Sequence, residues 1–159
     1  MVVLQASGHK EPKFEAFATP DALVVNAEDL TAPDLRHGDD TAMPLGVAVL
    51  NVRDQTFFDV KATVVENEFF ESTTVGIPAA GPSSATQWPF ELEPKAAWTD
   101  DTETVPLTLR LEACTLEQAY ETTIELPKKA ADEAYKRTFR SPIDGSVQYY
   151  GVVEPTDVD

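Results

Sequence analysis

The nine residues Val105–Ala113, VPLTLRLEA, constrain this chain more than any other stretch. Val105, Leu107, Leu109, Leu111 and Ala113 fall on one face of a strand, with Pro106, Thr108, Arg110 and Glu112 on the other. Apolar residues at every second position mark a strand with one buried and one wet face. Pro106 stands near the start, where the missing donor is tolerated. Burying each large side chain contributes roughly 1.5–3 kcal/mol, as an upper bound. That contribution requires a second layer over the apolar face, so the rest of the chain has to supply strands.

It does so at short intervals. Ala22–Asn26 reads as a strand after the turn signal Thr19-Pro20-Asp21, and Phe14–Ala18 alternates weakly before it. Ala32–Asp40 reads as a loop closed by Gly38 and two acids. Pro44–Val52 is apolar on both faces, which predicts an inner strand, with its small residues where something packs closely. In Phe58–Val65, Phe58, Val60, Ala62 and Val64 alternate with Asp59, Lys61 and Thr63. Phe69, Phe70, Val75 and Ile77 extend that arm, and Pro78–Ser84 reads as a loop. Trp88, Phe90 and Leu92 alternate with Pro89, Glu91 and Glu93, and Pro89 predicts an edge strand. Pro94–Glu103 reads as a loop, Cys114–Gln118 as a hairpin turn, and Thr122–Leu126 as a further strand. Asp144-Gly145 between β-prone segments signals a last hairpin. About seven strands without a long helical pattern predict an all-β, immunoglobulin-like two-sheet sandwich with a C-terminal β-hairpin tail. The expected organisation is a leader over 1–13, a sandwich over 14–127, a connector over 128–137 and a different unit from 138 to 159.

Charge narrows the partners. Twenty-eight acidic residues face twelve basic ones, a formal charge of −16, which repels nucleic acid and anionic lipid surfaces. The short apolar stretch Val2–Ala6 predicts neither a signal segment nor a membrane span. The single cysteine, Cys114, excludes an internal disulfide.

Catalytic signatures are missing from the sequence. It has no G-x-S-x-G elbow, C-x-x-C, H-E-x-x-H or Gly-rich phosphate loop. Ser141 and Ser146 lie far in sequence from His9 and His37 and read as turn residues. Glu66, Glu68 and Glu71 read as the wet face of an edge strand, against an alternative as paired carboxylates for glycoside hydrolysis. Asp39-Asp40 and Asp100-Asp101 lack the spacing of a calcium loop. No catalytic residue, metal or cofactor is therefore expected. Trp98, Tyr149 and Tyr150 are the candidate ligand-binding residues, as aromatic platforms for a sugar ring; Trp88, at strand spacing, reads as core.

Two stretches resemble known families. Leu23–Glu112, with Leu30-Thr31-Ala32-Pro33-Asp34-Leu35-Arg36-His37-Gly38-Asp39, a strand ending near Asn51 and the later strand Trp88–Leu92, resembles the bacterial CARDB-like and related immunoglobulin-like domains. That resemblance implies a noncatalytic spacer or interaction module of an exported protein, hence an extracellular or periplasmic location. Arg137–Val153, RTFRSPIDGSVQYYGVV, resembles the entry to the α/β-hydrolase domain of bacterial esterases and prolyl-oligopeptidase-like peptidases. It implies an N-terminal accessory domain that spaces or orients a downstream hydrolase, the partner, with 138–159 as the start of that domain. The alternative is a free-standing adhesion or carbohydrate-binding module that meets a protein or glycan surface.

Overall fold

The computed structural model describes residues 22–36, 39–95, 103–130 and 132–154. The expected leader, the strand at Phe14–Ala18, both histidines, Trp98 and Asp100-Asp101 lie outside the described residues.

Ten strands follow one another without a helix among the described residues: β1 (Leu23–Thr31), β2 (Leu35–Arg36), β3 (Met43–Asn51), β4 (Phe57–Val64), β5 (Thr73–Ala80), β6 (Ser84–Leu92), β7 (Thr104–Glu112), β8 (Tyr120–Lys129), β9 (Tyr135–Arg140) and β10 (Val147–Val152). One sheet has the order β1-β3-β6 and the facing sheet β2-β8-β7-β4-β5; β9 and β10 form a separate hairpin. In chain order β1, β3, β4, β6, β7 and β8 take the places of the A, B, C, E, F and G strands of an immunoglobulin sandwich. The pairings are antiparallel except β2 with β8, where Leu35 and Arg36 run parallel to Lys128 and Lys129. The chain is thus an immunoglobulin-like β-sandwich with a C-terminal hairpin.

The alternation in the sequence sets the core. Val105, Leu107, Leu109 and Leu111 of β7 are buried, and they meet Leu45, Val47 and Val49 of β3 and Trp88, Phe90 and Leu92 of β6 in one cluster. β3 is central in its sheet, and β6, which carries Pro89, is at the edge.

Some local expectations are corrected. Phe57, not Phe58, enters the core; Phe58 is 58% exposed. Asp59 adopts a positive φ of 51° opposite Pro78, which has no N–H to give the ladder. Aspartate tolerates that region better than most residues, and the turn of backbone there breaks the alternation. The loop expected over Ala32–Asp40 contains β2. The loop expected over Pro78–Ser84 shrinks to Gly81–Ser83, because β5 runs to Ala80 and β6 starts at Ser84. The connector expected over 128–137 is likewise shorter, since β8 runs to Lys129 and β9 begins at Tyr135.

Asn51 holds the narrow link between the sheets. Its buried side chain donates to the carbonyls of Gln55, Ala80 and Gly81 at 2.8, 3.1 and 2.7 Å, and accepts from the N–H of Arg53 at 3.0 Å. These bonds tie the β3–β4 and β5–β6 connections to the end of β3 and leave the buried amide satisfied.

Candidate functional site

The hairpin lies against the outer face of the β1-β3-β6 sheet, and small residues let it come close. A Cβ at Gly46 would stand 2.8 Å from the side chain of Gln87 and 2.9 Å from Val147 Cβ. Gln87 accepts from the Val147 N–H at 2.9 Å and donates toward the Val147 carbonyl at 3.4 Å. The Thr138 hydroxyl donates to the Pro44 carbonyl. Asp34 completes the contact: its N–H donates to the Lys136 carbonyl at 3.0 Å and its carboxylate accepts the Lys136 N–H at 2.7 Å.

Charges tie down the base of the hairpin. Arg36 donates to Glu154 at 2.6 Å, the Tyr135 hydroxyl donates to the same carboxylate at 3.0 Å, and the guanidinium lies 4.1 Å from the centre of the Tyr135 ring. The hydrogen bond from Arg36, then that from Tyr135, holds the Glu154 carboxyl below its usual range; Glu154 in turn raises Arg36. Arg137 bonds Asp39 at 2.8 Å. Burial pushes the Asp39 pKa up, but the hydrogen bonds from Thr41 and the Arg137 charge outweigh it, and the net shift is downward.

Three aromatic side chains of the hairpin are exposed. Tyr149 is 62% exposed, Tyr150 49% and Phe139 40%. Phe139 and Tyr150 sit diagonally across the strands, ring centres 6.0 Å apart and planes at 51°. Lys136 Nζ is 5.8 Å from the centre of the Tyr149 ring. The structure therefore brings two of the three candidate residues onto one strand but, as neighbours in sequence, onto opposite faces of it. Phe139 shares the face of Tyr150 and does not stand out in the sequence, because its neighbours Thr138 and Arg140 are both polar and set no apolar alternation.

Other candidates are held in structural bonds. The Ser141 N–H donates to the Ser146 carbonyl, and the Ser146 hydroxyl donates to Asp144 at 2.8 Å. Hydroxyl bonds from Ser141, then Ser146, lower the Asp144 pKa. Both serines thus build the turn around Gly145, whose φ is +73°. Glu66, Glu68 and Glu71 lie in the β4–β5 connection rather than on an edge strand. Lys95 bonds Glu66 at 2.6 Å and sits 3.9 Å from Glu71. The Lys95 hydrogen bond lowers Glu66, opposite to the raised value a general acid needs. Among the described residues no group of three or more His, Cys, Asp or Glu could hold a metal ion.

One concavity was not foreseen. A cavity of about 520 Å³ opens at the end of the sandwich where the β3–β4 and β7–β8 connections meet, lined by Arg53, Gln55, Phe57, Leu116, Glu117 and Tyr120 among others. Arg53-Asp54-Gln55 and Cys114–Gln118 read only as turns in sequence, and nothing in either stretch shows that they face one another.

Fold and surface together define a β-sandwich module with a docked, aromatic hairpin. No family model matches the chain, and no curated protein matches it.

Proposed function

We propose that this chain is a noncatalytic accessory module that orients a hydrolase domain, an esterase or peptidase, in an exported protein. The docking of the hairpin on the sandwich carries this reading. Arg137–Val153 is the stretch that resembles a hydrolase entry, and here it is fixed at Asp34, Pro44 and Gln87. A domain joined beyond Glu154 would inherit that orientation instead of swinging on a linker. The test compares the purified chain with the longest polypeptide its gene encodes, on short nitrophenyl esters and peptides. Activity confined to the longer polypeptide supports the reading, and activity in the chain alone contradicts it.

The exposure of Tyr149, Tyr150 and Phe139 favours a second reading, a glycan- or protein-binding module. Silence of both polypeptides toward esters and peptides, with glycan-array binding lost in Tyr149→Ala and Tyr150→Ala, would put it ahead.

A further inference from the structure

The edge of the hairpin along β10 is open between Tyr149 and Gly151. Both backbone groups of Val147 are taken by Gln87, so neither serves β9. The preceding carbonyl, of Ser146, turns the other way and accepts from Ser141 across the hairpin at 2.8 Å. Direction alternates along an antiparallel strand. Gln148, Tyr150 and Val152 therefore turn toward β9, opposite Phe139, Arg137 and Tyr135, and Tyr149 and Gly151 turn outward. Among the described residues the N–H and C=O of Tyr149 and Gly151 have no partner.

The remaining edges carry the devices that discourage strand addition. β1 has Glu28, Asp29 and a register shift between Asn26 and Leu30. β6 has Pro89 and Glu91, β5 has Pro78, and β2 is two residues long. β9 has Lys136, Arg137 and Arg140, and its Lys136 backbone is occupied by Asp34. β10, VQYYGV, has no charge, no proline and no bulge.

We propose that β10 pairs with β10 of a second copy of this chain, antiparallel about a twofold axis at Tyr150, making one sheet in the order β9-β10-β10-β9. The register is self-complementary, as a twofold interface requires. Tyr149 stands opposite Gly151 of the second copy, and the two exchange both backbone hydrogen bonds. The large ring lies over a residue with no side chain, and a Cβ at Gly151 would meet nothing within 4 Å. Tyr150 meets its own copy at the closer, non-hydrogen-bonded position, where aromatic cross-strand pairs contribute most. The exposed Phe139–Tyr150 pair of each copy then forms one continuous aromatic stripe. Charge favours this seam: in a chain of net −16, β10 is neutral and β9 carries three cations and no acid. Two acidic molecules approach there with the least repulsion.

Sedimentation equilibrium across a concentration series tests it. The expected result is a reversible dimer. Gly151→Pro removes an outward donor that β9 does not use, from each copy, and should weaken the dimer roughly thirtyfold. Tyr150→Lys places like charges face to face and should leave a monomer whose circular dichroism matches that of the parent chain. Ala79→Lys, on the β5 edge, should change nothing. A monomer at the highest soluble concentration overturns the proposal, as does a dimer insensitive to both Gly151→Pro and Tyr150→Lys.

Discussion

The two faces of β3 are packed by different means. Its inner face sets Leu45, Val47 and Val49 against a continuous aliphatic and aromatic layer. Its outer face receives the hairpin at Gly46, through the Gln87 amide, the Thr138 hydroxyl and the Asp34 carboxylate. Burial on the inner side is non-directional and scales with apolar area. The outer contact buries Tyr135 and Val147 of the hairpin as well, and adds directional bonds around a close approach, each worth less but together fixing one orientation. Stability of the fold therefore resides mainly on one face, and the placement of the hairpin on the other.

Four substitutions separate those roles. Leu109→Ala empties space in the core and should cost about 2–5 kcal/mol in urea unfolding, with the whole molecule affected. Gly46→Ala drives a methyl group into Gln87 and Val147, for a cost of about 1–3 kcal/mol; near-ultraviolet dichroism should show the tyrosines of the hairpin released while the sandwich persists. Gln87→Ala leaves the Val147 N–H without its partner and should cost about 1–2 kcal/mol. Because Gln87 and Gly46 touch, the double variant should fall short of the sum of the two. The smallest effect is expected from Glu154→Gln. Glu154 is held below its ordinary value, so its contribution is complete above that value and fades as pH falls through the lowered one. Thermal unfolding of the variant and the parent chain should differ near neutral pH and converge in acid. A hairpin as tolerant of Gly46→Ala as of any surface change would erase the contrast between the two faces.

Much of the sandwich was legible because its signals are local. The alternation of β7, the double-sided apolarity of β3 and the proline of β6 each state where a strand sits in a sheet. The small residues of β3 even marked a close approach, though not by what. Phe58 reads as core by alternation and Phe57 falls outside that reading, because the cause of the reversal, a positive φ at Asp59 opposite Pro78, depends on a partner strand. The binding surface was half legible. Tyr149 and Tyr150 stand out by type, whereas Phe139, the Gln87 clamp and the open backbone of Tyr149 and Gly151 are products of register. The end cavity arises from two turns far apart in the chain, and no single segment encodes it.

Residue-resolved amide hydrogen exchange at low protein concentration distinguishes a hairpin docked on the sandwich from one that swings free of it. Slow exchange is expected at Val147, held by Gln87, and at Lys136, held by Asp34, approaching that of the β3 ladder. Fast exchange is expected at Tyr149 and Gly151. Val147 and Lys136 exchanging as fast as a free peptide, with the β3 amides still protected, would contradict the docked arrangement.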